Sequence, residues 1–445
     1  MTSNRGSPSG EYSESRPKRA LSRRQFLASS ALALGAGAAG TSSSVSASPS
    51  STPVPSVEET TDHLSHPNPS PEAVALYRYL HDEWGSRILS GQQYEPWWGI
   101  DELEYIESVT GRQPAVIGAD FIHGDRSRPV SQAMEYWDRG GITAIMWHWG
   151  SPGHMIGEDE YDRSLNTDMD AWAVFDEGSS AHQAFWDELN EVADHLETLR
   201  DAGVPIIWRP FHEFDGGWFW WGGNGADAFT DLWETMHWYL VEERDLDNLV
   251  WLLPHADYPS ANWVPDRSTF DLWGADTYSA DDSYERLYWD TVSVHSNDRP
   301  IIKHETGHPP DPDAAANAGA WWSMWINWHT DWLTDVDDWH LESVYNHELT
   351  VTLDDVPNIV AEYGGDAGGT DPDGPPEIAG NTPQDLTGDG LYEDVTGDGQ
   401  LGFNDVVTFF EEHDSDAVQG NVEYFDFSGS GGVGFNDVIA LFERL

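Results

Sequence analysis

Eight short apolar runs of strand length recur along residues 88–347, and longer amphipathic stretches separate them. The runs are Ile88–Gln92, Ala115–Asp120, Ile142–His148, Pro205–His212, Leu249–Pro254, Leu272–Tyr278, Ile301–Glu305 and Ser343–His347. Helical periodicity appears between them, for example over His182–Ala202, Ala228–Glu243 and Ala314–Thr330, and a closing helix is expected over Leu353–Tyr363. A strand and a helix that alternate eight times predict an α/β fold, a (β/α)8 or TIM barrel, over residues 70–363.

Polar or aromatic residues stand where most of these predicted strands end. The stretch from Val204 to Gly222 is the clearest example, because an apolar run passes directly to Arg209 and Glu213 and then to a Gly/Trp loop. Other strand ends carry Gln92, Asp120, His148, Tyr278 and Glu305. In a TIM barrel the carboxyl ends of all strands meet at one mouth, where active sites lie. We therefore expect these side chains to share one site.

Glu213 and Glu305, at the ends of the fourth and seventh predicted strands, are the leading candidates for catalysis. Breaking a glycosidic bond needs one carboxylic acid to protonate the leaving oxygen and a second carboxylate to attack the sugar or activate water. Strands four and seven face each other across a barrel mouth, which suits such a pair. The alternative is that either glutamate belongs to the solvated surface of a chain with 79 acidic residues. The apolar strand and the His, Gly and Trp neighbours of Glu213 favour the catalytic interpretation.

Several of these segments together resemble glycoside hydrolase family 26, whose best-known members are endo-β-1,4-mannanases. Arg209–Gly222 resembles the acid/base motif of the family, and Pro300–Gly307 resembles its nucleophile segment. Further landmarks in the same order are Leu89–Gln93, Val116–Asp120, Trp147-His148 and Asp271–Tyr278. The resemblance runs from about residue 70 to residue 363 and implies a barrel enzyme that needs no cofactor for catalysis.

The resemblance also implies roles for particular residues. Glu213 would be the general acid/base, and Glu305 would be the nucleophile of a retaining reaction that passes through a covalent glycosyl-enzyme. The expected substrate-binding residues are His148, His212, Trp218, Tyr278, Asp120 and Trp221. Among these, Tyr278 is expected beside Glu305, and His212 is expected to orient the region of the nucleophile. The tryptophans at 321, 325 and 328 have helical spacing and are expected in the core.

The expected substrate is β-1,4-mannan or galactomannan, although two departures from the pattern of the family bear on that choice. Asp215 stands where many mannanases of the family carry Asn, and Ser343–His347 lacks the Arg of a Trp-Arg pair expected on strand eight. Mixed-linkage β-glucan and β-1,3-xylan, which other members cut, therefore stay open. A barrel that binds carbohydrate without turnover is an alternative class, but the presence of both Glu213 and Glu305 favours an enzyme.

Other features of the chain bear on its location and partners. Residues 1–47 contain Ser22–Leu27, which resembles a twin-arginine export motif, and then an apolar run with a small-residue cleavage site, so we expect a secreted protein. Residues 48–69 form a predicted Ser/Pro-rich linker. The formal net charge of -58 disfavours nucleic acid or an anionic membrane as a partner, and its even spread resembles the surfaces of proteins from extreme halophiles.

Residues 385–445 change in character after a Gly/Pro/Asp-rich linker at 364–384. Leu401–Val407 and Val433–Ile439 form a repeat 32 residues apart, and each ends a stretch with the spacing of a twelve-residue calcium loop. The expected Ca²⁺ ligands are Asp394, Thr396, Asp398, Gln400 and Asp405 in the first loop and Asp426, Ser428, Ser430 and Asp437 in the second. The loop–helix pair resembles a dockerin, which implies a small α-helical module and a cohesin-type partner. The alternative is a cap stabilised by Ca²⁺ and salt.

Overall fold

The structure is a computed structural model that describes residues 64–122, 125–153, 160–279, 285–364, 375–376, 378–386, 390–397, 401–442 and 444. The predicted export segment at 1–47 lies outside these residues, as do most of the predicted linkers at 48–69 and 364–384. Asp398 and Gln400 of the first predicted calcium loop also lie outside them. Within the described ranges, no helix combines the length and the apolar character that crossing a bilayer requires.

Parallel strands close into an eight-stranded barrel, which confirms the predicted fold class of the larger domain. The strands are β1 (Ile88–Leu89), β2 (Gly91–Gln93), β3 (Val116–Asp120), β4 (Ile142–Met146), β5 (Ile206–Arg209), β6 (Leu249–His255), β7 (Leu272–Thr277), β8 (Ile301–Thr306), β9 (Trp322–Asn327) and β10 (Thr350–Val351). Because β1 and β2 flank Ser90, they act as one barrel strand. The barrel closes where β9 pairs with β2 on one side and with β8 on the other, and β10 pairs with β1.

Helices follow most of the barrel strands. Among the described residues from 64 to 364, the α-helices are Pro71–Glu83, Glu102–Thr110, Ser127–Asp138, Glu160–Ser164, Ser180–Asp201, Trp220–Gly223, Ala226–Trp238, Glu285–His295, Pro312–Ala318, Asp331–Thr334, Asp338–Tyr345 and Ile359–Tyr363. The longest, Ser180–Asp201, begins where the Ser179 side chain accepts a hydrogen bond from the His182 backbone N–H at 2.9 Å. Its buried residues recur every three or four positions, so one face of this helix packs on the barrel.

The eighth barrel strand is not where the sequence placed it. The prediction of a strand at 343–347 is wrong, because this segment belongs largely to the helix Asp338–Tyr345. The prediction of a helix over 314–330 is also wrong: the helix ends at Ala318, Gly319 takes a left-handed φ of 66°, and the strand Trp322–Asn327 follows. Every residue of that strand is buried, and a continuous buried run of this kind carries no alternating pattern to separate it from a helix.

Alternate residues of the strands feed two different apolar clusters. Ile207 and Val250 join the cluster that includes the helix Pro71–Glu83. Trp208 and Trp251, the next residue of each strand, join the larger cluster with the surrounding helices. This two-residue alternation gives the barrel a filled interior and a tryptophan-rich outer layer, so its strand ends are rigidly placed.

A separate apolar cluster lies within residues 378–441 and includes Val406, Phe409, Val438 and Leu441. The helices in this part of the chain are Phe403–Glu412, Asp416–Gln419, Val422–Phe425 and Phe435–Phe442. The two longer helices carry the repeated sequence and bury equivalent residues, namely Val406 and Phe409 in one and Val438 and Leu441 in the other. The repeat in the sequence is therefore a repeat of structure.

Candidate functional site

A cavity of about 510 Å³ opens where the carboxyl ends of the barrel strands meet. Its walls come from the ends of seven strands and from the loops and short helices that follow them: Glu95, Trp98, Asp120, Ile122, His148, Tyr161, Asp162, Glu213, Trp218, Phe219, Tyr278, Glu305, Trp328, His329 and Trp332. Six of the residues that the sequence suggested for the site lie in this set. Two others, His212 and Trp221, do not.

Glu213 lies in the turn that follows β5. Its φ of 54° and the φ of 50° at Phe211 place two non-glycine residues in the left-handed region, which costs about 1–2 kcal/mol for each residue. The Glu213 backbone N–H donates to the Pro254 carbonyl of β6 at 2.8 Å, and Trp218 Nε1 donates to Glu213 Oε2 at 2.6 Å. Hydrogen bonds therefore hold both the turn and the carboxyl group that it carries.

Glu305 lies in β8 and is held by two donors. The Tyr278 hydroxyl donates to Oε1 at 2.5 Å, and Arg209 donates to Oε2 at 3.1 Å. Burial raises the pKa of Glu305, and the nearby Glu213 carboxylate adds to the increase. Arg209 and the Tyr278 hydroxyl oppose it because both stabilise the ionised form. The two donors thus favour a charged, oriented carboxylate in a buried position.

Asp276, which the sequence did not single out, is a third carboxyl group beside these two. It is buried in β7, and one oxygen from each of Glu213, Asp276 and Glu305 lies within 4.8 Å of the others. Burial and the neighbouring carboxylates raise the pKa of Asp276 well above its ordinary value, so a neutral Asp276 can hydrogen bond to Glu213. The sequence did contain one indication that Asp276 belongs to the site: it stands two residues before Tyr278, and alternate residues of a strand point to the same side.

His148 and Asp120 form one unit in the cavity wall. The Asp120 carboxylate accepts from the His148 backbone N–H at 3.0 Å and contacts its Nδ1 at 2.5 Å. Although burial acts to lower it, the pKa of His148 is raised because the Asp120 carboxylate faces the ring. Asp120 thereby fixes the orientation of the His148 ring, and its own oxygens are occupied by protein donors, including the Ile122 backbone N–H at 3.0 Å.

The expectation that Trp221 contacts substrate is wrong, and His212 lies behind the cavity wall. The Trp221 ring is fully buried, stacks on Phe219 at 4.4 Å, and donates to the His212 carbonyl at 2.9 Å. His212 Nε2 lies 3.1 Å from His148 Nε2, so the partner of His212 is the cavity histidine rather than the nucleophile. Burial lowers the pKa of His212 well below its ordinary value, and this ring is therefore neutral. Both residues support the site from the core.

Aromatic rings line the side of the cavity next to β2 and β9. Trp98 and His329 stack with ring centroids 6.4 Å apart and an interplanar angle of 24°. Trp328 lines the cavity, contrary to the expectation that it belongs to the core, whereas Trp325 is buried there as expected. The eighth barrel strand is β9, which ends at Asn327, so Trp328 and His329, rather than Ser343–His347, follow it. Such flat rings can pack against the C–H face of a pyranose.

The two predicted calcium loops share one hydrogen-bonding pattern. In the first, Asp405 accepts from the backbone N–H groups of Thr396 at 2.8 Å and Gly402 at 2.7 Å. In the second, Asp437 accepts from Ser428 at 2.9 Å and Gly434 at 2.7 Å. The third, ninth and twelfth loop positions therefore hydrogen bond alike in the two halves of the repeat.

The first loop brings the described ligands together. Asp394 and Asp405 are fully buried, and the Thr396 hydroxyl lies 3.3 Å from an Asp394 oxygen and 2.7 Å from an Asp405 oxygen. Although burial acts to raise it, the pKa of Asp405 is lowered by hydrogen bonds from Thr396 and Gly402. Two buried carboxylates and a hydroxyl make a hard-oxygen donor set that fits Ca²⁺.

The second loop is more exposed. Asp437 is buried, but Ser428 and Ser430 replace carboxylates, and the Asp426 oxygens accept from the Ser430 backbone N–H at 2.8 Å and the Gly431 backbone N–H at 2.7 Å. With fewer charged ligands, this loop fits a weaker Ca²⁺ site.

The barrel mouth has the parts that cleavage of a glycosidic bond requires. Two carboxyl groups lie close together in a cavity with aromatic walls, and one of them is held by a guanidinium and a phenol. A buried pair of this kind can divide into one group that carries a proton and one that stays ionised. The fold and the site together define a glycoside hydrolase of the TIM-barrel type.

Comparison with protein families agrees with this class. The model of Glycosyl hydrolase family 26 matches residues 65–355. The chain therefore belongs to glycosyl hydrolase family 26.

Individual relatives carry mannanase names. Mannan endo-1,4-beta-mannosidase of Thermothelomyces thermophilus is 30% identical over 312 residues, which cover 66% of this chain and 63% of that enzyme. Mannan endo-1,4-beta-mannosidase B of Piromyces sp. is 28% identical over 315 residues, which cover 66% of this chain and 54% of that enzyme. The chain thus spans between half and two thirds of the length of these relatives.

Solved structures show the same barrel. A β-mannanase from a symbiotic protist of the termite Reticulitermes speratus, in complex with gluco-manno-oligosaccharide, is 29% identical with a TM-score of 0.59, and the match covers 66% of this chain and 97% of that one. The GH26-CBM35 β-(1,4)-mannanase of Podospora anserina is 26% identical with a TM-score of 0.62, and the match covers 71% and 72% of the two chains.

Proposed function

We propose that this chain is a retaining endo-β-1,4-mannanase in which Glu213 is the general acid/base and Glu305 is the nucleophile. The observation that carries the proposal is the carboxyl pair at the barrel mouth, in which one oxygen of Glu213 lies within 4.8 Å of one oxygen of Glu305. Retaining glycosidases hold these groups about 5–5.5 Å apart, whereas inverting enzymes leave about 6.5–9.5 Å for a water molecule. The short separation supports direct attack by Glu305.

The reaction has two steps. In the first, a Glu305 oxygen bonds to the anomeric carbon while the bond to the leaving oxygen breaks, and Glu213 transfers its proton to that oxygen. In the second, Glu213 takes a proton from water, the water oxygen bonds to the anomeric carbon, and Glu305 leaves as a carboxylate. Arg209 and Tyr278 stabilise Glu305 whenever it is charged. A protonated Asp276 hydrogen bonds to Glu213 and helps to orient it.

The substrate that we propose is β-1,4-mannan, including its galactose-bearing forms. The mannanase names of the relatives support this choice, as does the cavity wall formed by Trp98, Trp328 and His329, because stacked rings suit pyranose chains. His148, held in orientation by Asp120, supplies a polar contact that such a wall lacks.

The test is a reducing-sugar assay on galactomannan, mixed-linkage β-glucan and β-1,3-xylan. We expect activity on galactomannan to exceed activity on the other two polymers, and we expect Glu305→Ala and Glu213→Ala to lower the rate on galactomannan by several orders of magnitude. A preference for one of the other polymers would replace the substrate assignment. Full activity in the Glu305→Ala variant would refute the mechanism. Binding of polysaccharide without turnover by the wild-type chain would identify a carbohydrate-binding barrel.

We also propose that the chain is secreted by the twin-arginine route and that residues 385–445 form a Ca²⁺-binding, dockerin-like module. The shared pattern at Asp405 and Asp437 supports two related Ca²⁺ loops. Six apolar side chains support a protein partner of cohesin type, because they are exposed at equivalent positions of the two repeated helices. They are Phe403, Val407 and Phe410 in the first helix and Phe435, Ile439 and Phe442 in the second. Phe410 and Phe435 touch edge to face at 6.1 Å, which joins the two rows.

Two measurements test the module. Calorimetric titration of the chain with Ca²⁺ should show binding that Asp405→Ala abolishes at the first loop. Replacement of both Phe410 and Phe435 by Ser should leave Ca²⁺ binding unchanged and abolish capture by an immobilised cohesin. Capture that survives this double substitution would place the partner elsewhere.

A further inference from the structure

We propose that Asp215, His255 and His295 form a buried hydrogen-bonded chain that positions Glu213 for proton transfer. Asp215 follows Glu213 by two residues, His255 ends β6, and His295 ends the helix Glu285–His295. The side chains of Asp215 and His255 are 2% and 0% exposed, and His295 is buried as well. The inference rests on the proposed function, because it concerns how the proposed acid/base is held.

Each contact in the chain is short. Asp215 Oδ2 lies 2.6 Å from His255 Nδ1, and Asp215 Oδ1 accepts from the Ala256 backbone N–H at 2.8 Å. His255 Nε2 lies 2.7 Å from His295 Nε2, so one of the two nitrogens donates to the other. The His295 ring also stacks on Trp273 with centroids 5.0 Å apart and an interplanar angle of 15°, which fixes the far end of the chain.

His295, at the far end of the hydrogen-bonded chain, is neutral. Burial lowers the pKa of His295 to about 2, and the neighbouring His255, Arg267 and Arg299 act in the same direction. A neutral His295 ring fixed at the end of the hydrogen-bonded chain orients His255 without adding a positive charge of its own behind the site. The role of the hydrogen-bonded chain is therefore to hold the turn of Glu213 in place.

The turn that carries Glu213 needs such a support. Phe211 and Glu213 both have left-handed φ values, and strain of this kind persists where surrounding contacts over-determine the backbone. Two hydrogen bonds tie the turn to the end of β6: the Glu213 N–H donates to the Pro254 carbonyl at 2.8 Å, and the N–H of Ala256, the residue after β6, donates to Asp215 at 2.8 Å. Asp215 is the side chain that makes the second tie, and His255 fixes the rotamer of Asp215.

His255 also reaches the nucleophile through its backbone. Its carbonyl accepts from His304 Nε2 at 2.7 Å, and His304 Nδ1 accepts from Arg209 at 2.6 Å. Arg209 then donates to Glu305 at 3.1 Å. One residue of β6 is thus connected to the turn of Glu213 by its side chain and to Glu305 by its main chain. Through these two connections, His255 sets the separation of the Glu213 and Glu305 carboxyl groups.

A positioning role predicts a selective kinetic defect. If Asp215→Ala lets the turn relax, Glu213 protonates the leaving oxygen poorly, and substrates with a poor leaving group suffer most. The experiment compares kcat/KM for mannopentaose with kcat/KM for 2,4-dinitrophenyl β-mannobioside, whose leaving group needs no proton. We expect a loss of about 100-fold on mannopentaose, because a displacement near 1 Å can cost that much. The loss on the activated substrate should be at least tenfold smaller.

Further variants separate positioning from a general loss of structure. Asp215→Asn keeps an acceptor for the Ala256 N–H and should restore most of the mannopentaose activity. His295→Phe keeps a ring against Trp273, removes the contact to His255, and should show the same selective loss with a smaller amplitude. As a control, Asp194→Ala breaks the 2.6 Å ion pair between Asp194 and Arg244, which lies outside this hydrogen-bonded chain, and should change kcat/KM for neither substrate.

The outcomes are distinguishable. Equal losses on both substrates, or no loss in both Asp215→Ala and His295→Phe, would overturn the positioning role. If Asp215→Ala does not fold, His295→Phe decides the question alone. A wild-type chain that cleaves neither mannoside would instead refute the proposed function, and the positioning role would fall with it.

Discussion

Replacing Tyr278 with Phe isolates the hydroxyl group that holds the proposed nucleophile. The phenol donates to Glu305 Oε1 at 2.5 Å, while Arg209 donates to the other oxygen at 3.1 Å. Because the ring also packs on Trp332 with centroids 4.6 Å apart, Phe should keep the position of the ring and lose the hydrogen bond. The substitution therefore removes one of the two donors to Glu305.

The size of the effect follows from the kind of bond. A hydrogen bond to a charged group contributes about 1.5–3 kcal/mol, which corresponds to roughly 10- to 100-fold in rate. In the proposed mechanism Glu305 regains its charge when the glycosyl-enzyme breaks down, so the second step should be slowed most. We expect kcat to fall by roughly 10- to 100-fold, KM to fall as well, and a pre-steady-state burst to appear as the intermediate accumulates.

The pH dependence of kcat/KM provides an independent test of the role of Tyr278. In the proposed mechanism Glu305 acts in its ionised form, so kcat/KM should be highest above the pKa of Glu305 and should be lost as the pH falls through that pKa. Tyr278 opposes the rise in the pKa of Glu305, so its removal should move the acidic limb of kcat/KM to higher pH. Tyr258→Phe is the control, because Tyr258 is exposed beside Arg286 and does not line the described cavity. An unchanged kcat and an unmoved limb in Tyr278→Phe would refute this account of Glu305.

Three further predictions concern the support of the site and the module. Trp221→Phe should lower the free energy of unfolding by about 1–3 kcal/mol, through lost core volume and one lost hydrogen bond, and should leave KM nearly unchanged in a mannan assay; a large rise in KM would restore Trp221 as a substrate contact. Asp120→Asn should lower the melting temperature more at pH 6 than at pH 9. The raised pKa of His148 stabilises the fold at pH values below the ordinary pKa of histidine, and this stabilisation is lost as the pH rises through the raised pKa. An equal loss at both pH values would contradict the ion pair between His148 and Asp120. In the wild-type chain Ca²⁺ should raise the melting temperature of the C-terminal module, and Asp405→Ala should remove most of that rise, whereas an unchanged rise would place the metal elsewhere.

The sequence predicted most of the barrel because its parallel strands are short buried runs that end in polar residues. Seven of the eight barrel strands lie where these runs were found. The eighth was missed because Trp321, Trp325 and Trp328, in and around this strand, match a helical spacing. The error carried into the site, since Trp328 and His329 follow the true eighth strand.

The sequence predicted those site residues that stand at or just after the ends of the predicted strands. Glu213, Glu305 and Tyr278 were identified from strand ends, and the structure brings them together. Asp276 was not identified, because an acidic residue is uninformative in a chain with 79 of them until its burial is known. Trp221 was misassigned for the related reason that a ring after a strand end can face either the cavity or the core.

Trapping of the glycosyl-enzyme tests the central claim most directly. A 2-deoxy-2-fluoro mannobiosyl fluoride slows both steps and is expected to accumulate as a covalent adduct, which peptide mapping by mass spectrometry can place on one residue. The account predicts an adduct on Glu305 in the wild-type chain and none in the Glu305→Ala variant. An adduct on another residue, or turnover of mannan with inversion at the anomeric carbon, would contradict it.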